Sequence, residues 1–179
     1  MLIVFIISIL LIILSVAYYS LKYGITPTPS SPDAIRAIIE MIPETTSGNV
    51  LELGSGWGSL AIAIARKLPN CHVIAYEISI VPWLVSLIFH KVMKNNNLII
   101  LRKDFFKESF EDVSLVICYL YPGAMKKLKD KFEKELTPGT IVISHAFAIP
   151  GWTPQFTKKL NDLYATPIYF YKYGSDDLS

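Results

Sequence analysis

The chain reads as an α/β protein: a doubly wound, mostly parallel sheet preceded by one N-terminal transmembrane helix. Three observations lead there. Short apolar runs at residues 50–53, 72–77, 98–101, 113–120 and 140–144 alternate with stretches of helical periodicity, the pattern of successive βα units. Residues 50–59 (VLELGSGWGS) pass from an apolar run through a carboxylate and three alternating glycines into a helix start, and such a turn lets backbone approach a ligand closely. Residues 2–21 carry no charged side chain, and about 20 apolar helical residues cross a hydrocarbon core of about 30 Å.

In chain order, residues 2–21 come first. Tyr18 and Tyr19 stand near the end of this segment and Lys22 follows as the first charge, as expected where a span meets the headgroups. A cleaved signal peptide is the competing reading, with Ser15-Val16-Ala17 as a cleavage site. No Lys or Arg precedes the apolar run, so the uncleaved anchor is preferred, with the N-terminus outside and the domain on the cytoplasmic side. Residues 22–31 form a stiff tether, because Pro27 and Pro29 fix their own φ and bias their neighbours toward extended backbone. The remaining domain, residues 32–179, is of a size that forms a single core.

Ser31 and Pro32 supply an N-cap and a first helical residue, and Ala34, Ile35, Ile38, Ile39 and Ile42 continue the helical spacing to near Pro43. The glycine loop differs from the dinucleotide fingerprint, in which the third glycine comes three residues after the second. Here the spacing is G-x-G-x-G, with Glu52 beside it. That carboxylate repels a phosphate and attracts a cationic ligand group. After the next strand, Glu77 stands where nucleoside-binding sheets place an acid that accepts from ribose hydroxyls. Residues 82–93 begin with proline and are apolar almost all round, which suits a helix covered on several sides; Trp83 and His90 read as packing residues. Asp104 and Phe105 follow the third strand. Residues 113–120 are continuously apolar, as a central parallel strand covered on both faces tends to be. Tyr119 and Tyr121 close it. Met125, Leu128, Phe132 and Leu136 form the buried stripe of a helix whose lysines solvate the other faces. Thr137-Pro138-Gly139 is a turn, residues 166–173 read as a last strand, and residues 155–163 are either its hairpin partner or a short helix.

Composition narrows the function classes. Net charge is +2, with 17 basic and 15 acidic residues, so no global field recruits nucleic acid. Cys71 and Cys118 lie in apolar runs and lack C-x-x-C spacing, so reduced, buried thiols are expected. No clustered His/Cys pattern points to a bound metal.

S-adenosylmethionine carries an ammonium, a sulfonium and no phosphate, and residues 51–58 (LELGSGWG) resemble motif I of the class I, Rossmann-like methyltransferases. DNA amino-methyltransferases carry Asn or Asp, then Pro-Pro and an aromatic, where this chain has YLYP at 119–122, which disfavours base methylation. More of the chain resembles one family: the compact seven-strand protein lysine methyltransferases of archaea and bacteria, with the mitochondrial enzymes that modify the ATP synthase c subunit or the adenine nucleotide translocase. The residues that carry this are TPTP at 26–29, LELGSGWG from 51, YEISIVPWL from 76, KDFF from 103 and SHAFAIPGWTP from 144. Trp57 and Ser59 depart from the G-D-G-R common in that family.

The resemblance implies a seven-stranded Rossmann-like sheet and S-adenosyl-L-methionine as cofactor, held by Thr28, Glu52, Gly54, Ser55, Gly56, Gly58, Glu77, Ile78, Asp104 and Phe105. Tyr23, Tyr119, Tyr121, His145 and Trp152 are the candidates for the wall that receives the acceptor, His145 being the one able to act as a base near neutral pH. The expected function is a membrane-anchored methyltransferase for a protein lysine, with a protein substrate and the lipid bilayer as partners. A methyltransferase for a lipid-phase quinone or lipid precursor would share every cofactor residue, and a tethered cofactor-binding module without catalysis is the third reading.

Overall fold

A computed structural model describes residues 1–23 and 28–174. Of the expected tether, residues 24–27, Thr26 and Pro27 among them, lie outside the described residues, as do the side chains of Lys22 and Tyr23 and residues 175–179. The elements run α1 (Leu2–Tyr23), α2 (Pro32–Met41), β1 (Asn49–Leu53), α3 (Ser59–Lys67), β2 (His72–Tyr76), α4 (Ile80–Met93), β3 (Leu98–Leu101), a 3₁₀ turn (Phe105–Lys107), β4 (Val113–Cys118), α5 (Pro122–Glu135), β5 (Ile141–His145), β6 (Phe156–Lys159) and β7 (Pro167–Lys172). The helix of α1 thus continues to Tyr23, two residues past the expected end of the apolar segment.

The seven strands form one sheet in the order β3-β2-β1-β4-β5-β7-β6. Strands β1 to β5 pair in parallel, while β7 is antiparallel to both β5 and β6. This is the expected mostly parallel sheet, with residues 155–163 resolved in favour of the hairpin partner. β1 and β4 are neighbours from which the chain winds in opposite directions, so their C-terminal ends define the switch point where such sheets bind ligands. One core cluster joins α2 and α3 to one face of the sheet, through Ile38, Ile64, Val73 and Leu115 among others. A second joins α5 to the other face through Leu51, Met125, Phe132 and Tyr171.

Local chemistry explains the boundaries. Ser31 caps α2 by accepting from the Ala34 N–H at 3.1 Å, with Pro32 in the first turn. α5 likewise opens on Pro122, where a missing N–H costs nothing. Both cysteines are free and buried, and burial pushes the Cys118 thiol up to about 12.

α4 overturns an expectation. Its apolar circumference suggested cover on several sides, but only Pro82 and Ser86 are buried, and Leu84, Ile88, Phe89, Val92 and Met93 are exposed. Trp83 does pack against the core, with the Arg102 guanidinium over its ring.

Gly58 shows how tightly α3 and α4 meet. Its φ is +83°, and a Cβ there would lie 2.7 Å from Ser86 Cβ and 3.3 Å from Ser86 Cα. Gly58→Ala combines left-handed strain of about 1–2 kcal/mol with overpacking of about 1–3 kcal/mol. The expected result is a large fall in the denaturant midpoint with an unchanged slope, read from equilibrium unfolding.

Candidate active site

A cavity of about 530 Å³ opens at the C-terminal ends of β1, β2 and β4, a size that suits a nucleoside-sized ligand. Of the residues singled out as cofactor ligands, Thr28, Glu52, Gly54, Ser55, Gly56, Glu77, Ile78, Asp104 and Phe105 all line it. Gly58 stands behind, as the left-handed N-cap of α3, so its place is set by helix packing. Of the acceptor-wall candidates, Tyr119 and Tyr121 line the cavity.

Glu77 ties two sides of the cavity together. One carboxylate oxygen accepts from the Gly56 N–H at 2.8 Å and the other from the Ser79 N–H at 2.7 Å, so a single side chain braces the glycine loop and the N-terminus of α4. Gly54 and Ser55 also donate their N–H groups to the Tyr76 carbonyl, at 2.9 and 2.8 Å. Asp104 caps the following 3₁₀ turn by accepting from Phe106 N–H at 3.1 Å. Phe105 and Phe106 pack ring to ring at 4.5 Å and both face the cavity.

Glu52 is different. It is 4% exposed, and its Oε2 is buried with no hydrogen-bond partner among the described residues, as is the Ser55 hydroxyl. Burial, and then the neighbouring Glu77 carboxylate, push the Glu52 carboxyl well above its ordinary value. A buried carboxylate oxygen left without a partner is costly, and a cation with N–H donors relieves that cost. Gly56 adds a second sign of fit: a Cβ there meets nothing within 4 Å, although the residue lines the cavity, so the loop leaves room that a side chain would take. These residues fit a ligand that is a nucleoside at one end and a cation with an amino group at the other.

His145 and Trp152 do not line the cavity. His145 is 5% exposed, its ring lies 4.3 Å from that of Tyr119, and neither ring nitrogen has a partner among the described residues. It therefore backs the wall that Tyr119 forms. Burial pushes its imidazole down from the ordinary value, with Asp162 opposing. Trp152 is a core residue: its ring stacks on Tyr173 at 5.3 Å and its Nε1 donates to Glu133 at 3.3 Å. The turn after β5, closed by Trp152 N–H to the Ile149 carbonyl at 3.1 Å, directs it onto α5.

Trp57, noted in the sequence as a departure from the family's motif I, lines the cavity, and so do Phe106, Phe147 and Lys127, which sequence reasoning passed over as site residues. Phe106 and Phe147 lie inside the KDFF and SHAFAIPGWTP motifs and could have been found there. Lys127 is one of several lysines on α5, and nothing in the sequence separates it from the rest.

A seven-stranded sheet in this order, with a nucleoside cavity at the β1/β4 switch point, defines a class I, Rossmann-like methyltransferase. Residues 52–156 match the family model of the ANTKMT methyltransferase domain, and the chain belongs to that family of S-adenosylmethionine-dependent enzymes. It is 30% identical over 139 residues to a protein-lysine N-methyltransferase of Saccharolobus islandicus, covering 76% of this chain and 84% of the relative. It is 29% identical over 129 residues to the human lysine N-methyltransferase of the ATP synthase c subunit, covering 70% of this chain and 53% of that protein. With the mouse adenine nucleotide translocase lysine N-methyltransferase it shares 33% identity over 110 residues, 60% of this chain and 47% of that one. The chain thus spans about half the length of both mammalian relatives. Among solved structures, an RNA methyltransferase from Salinibacter ruber superposes with a TM-score of 0.70 at 24% identity, over 85% of this chain and 99% of that one, a likeness of fold.

Proposed function

We propose that this protein methylates a lysine side chain of a protein, from a domain held at a membrane by α1 on the cytoplasmic side. Bound S-adenosylmethionine supplies an electrophilic methyl group on a sulfonium. Glu77 and Asp104 hold its nucleoside end, Glu52 and Ser55 its amino-acid end, and Gly54 and Gly56 give the backbone its close approach, with Thr28, Ile78 and Phe105 as walls.

The observation that carries the lysine reading is what lines the cavity besides the residues assigned to the cofactor. These include Tyr119, Tyr121, Ala124, Phe147 and Lys127, while the carboxylates of the same cavity, Glu52, Glu77 and Asp104, are all assigned to the cofactor. A lysine has a reference pKa of about 10.4, so it must shed its proton to act as a nucleophile. An aromatic channel with a like charge beside it disfavours the ammonium, and the tyrosine hydroxyls orient a free amine without stabilising its charge. The relatedness to protein-lysine methyltransferases points the same way.

Membrane attachment rests on α1, whose stretch Ile3–Leu21 is long and apolar enough to cross a bilayer. Thr28 lines the cavity only five residues after Tyr23 ends the helix. At ~3.5 Å per residue the linker reaches at most about 17 Å, so the cavity stays close to the membrane surface. An acceptor lysine near the headgroups of a membrane protein fits that constraint.

Labelled S-adenosylmethionine mixed with the purified full chain and native membranes is the test. Label on a protein band, with a methyl mass shift on a lysine peptide, is the expected outcome; label confined to solvent-extractable material overturns the lysine assignment. Tyr121→Ala is expected to lower kcat/KM for the acceptor about tenfold or more while leaving cofactor affinity nearly unchanged, a loss of roughly 1.4 kcal/mol in transition-state stabilisation. Steady-state kinetics with calorimetry of cofactor binding checks it.

A further inference from the structure

We propose that α4 is a second membrane contact: a helix lying in the plane of the bilayer surface, with its exposed apolar face among the headgroups and upper acyl chains. The inference rests on the reading of α1 as a membrane span and goes beyond it, by assigning a lipid-facing surface to the globular domain and an orientation to the active site.

Ile80, Leu84, Ile88 and Val92 recur every four residues along α4, with Phe89 and Met93 beside them, and all six are exposed. This spacing puts them in one stripe on the helix. At 14 residues and about 1.5 Å per residue, α4 is too short to cross a bilayer and suits an interfacial position.

What covers the stripe is indicated by charge and by α1. Between Glu77 and Asp104 the chain carries four Lys or Arg and no acid, and Lys91 and Lys94 flank the stripe in exposed positions. An apolar face flanked by Lys91 and Lys94, on a stretch of chain without acids, complements anionic lipid. A second copy of the chain fits worse, because a two-fold contact through the same patch would set these cations against their own kind. α1 also packs against α4, and among the described residues the partly covered side chains of α1 (Ser15, Val16, Tyr19 and Ser20) lie toward its C-terminal end. That places α4 at the level where the span leaves the bilayer. Since Ser79, the N-cap of α4, also lines the cavity, an in-plane α4 fixes the cavity relative to the lipid surface.

The test uses the full chain in vesicles of equimolar phosphatidylcholine and phosphatidylglycerol. Single cysteines carrying an environment-sensitive fluorophore replace Ile88, Ile9 in α1, or Leu163, an exposed apolar residue away from α4, in a background with Cys71 and Cys118 changed to Ala. Nitroxide lipids are the quenchers. The expected result is quenching at Ile9 and at Ile88 severalfold above that at Leu163, with the Ile88 signal reduced when Lys91 and Lys94 are both changed to Glu. Quenching at Ile9 with Ile88 no different from Leu163 overturns the α4 contact and leaves the anchor standing. Quenching at neither overturns both. Efficient disulfide formation between unlabelled Ile88→Cys chains in lipid-free detergent assigns the face to a second copy and also overturns the proposal.

Discussion

Glu77→Ala is expected to lower affinity for S-adenosylmethionine by about a hundredfold or more, a loss of roughly 2.7 kcal/mol. Two losses combine. The nucleoside end loses its acceptor, and the Gly56 and Ser79 N–H groups, now bonded to this carboxylate at 2.8 and 2.7 Å, lose theirs. Hydrogen bonds to a charged group contribute about 1.5–3 kcal/mol each, so the glycine loop also loosens and the unfolding midpoint falls. Glu77→Gln keeps one acceptor oxygen but turns an amide NH₂ toward one of the two donors, so an intermediate loss is expected. Calorimetric titration of both variants, with thermal unfolding in parallel, is the measurement. Unchanged affinity in Glu77→Ala would remove the second strand's acid from the site.

Gly56→Ala provides the contrast with Gly58→Ala. The left-handed φ of +53° at Gly56 costs an alanine about 1 kcal/mol or a little more, but nothing stands within 4 Å of the added methyl, so the fold survives. The methyl takes cavity space, and cofactor affinity is expected to fall about tenfold, about 1.4 kcal/mol. Gly58→Ala should do the opposite, costing stability first. Unfolding curves and binding isotherms on the two variants separate the roles.

The readable parts of this sequence are those in which one physical signal dominates. The parallel strands announce themselves because both faces are covered: in β4 every residue but Ser114 is buried. That Glu52, Gly54, Gly56 and Glu77 would line one cavity was legible because strand-end acids and alternating glycines leave few other uses for the same geometry. β6 was illegible for the converse reason. It is an outer strand whose residues, Phe-Thr-Lys-Lys, are mostly exposed, so no alternation marks it. Trp152 was misplaced because an aromatic after β5 can face the cavity or the core, and a turn geometry invisible in sequence decides. α4 misled because an all-apolar helix looks the same whether protein or lipid covers it.

Glu52 gives the strongest pH-dependent expectation. Its carboxyl is held well above the ordinary value of 4.5 by burial and by Glu77, so the ligand-free folded protein keeps a proton there that the unfolded chain has lost. Stability of the free protein should therefore fall as pH rises from about 4.5 through the folded value, because the folded state binds the extra proton in that window. A cationic ligand reverses the preference, since a positive group beside Glu52 favours the carboxylate. Cofactor binding should thus release up to one proton per site at pH values below the free protein's Glu52 titration, and affinity should rise with pH until that point is passed. Calorimetry in two buffers of different ionisation enthalpy reads the proton count. In Glu52→Gln the proton release should vanish and affinity should fall at all pH values, with the free protein no longer losing stability in that window. A variant that still releases its proton would mean that another group faces the cation, and that the unpartnered Oε2 serves the fold alone.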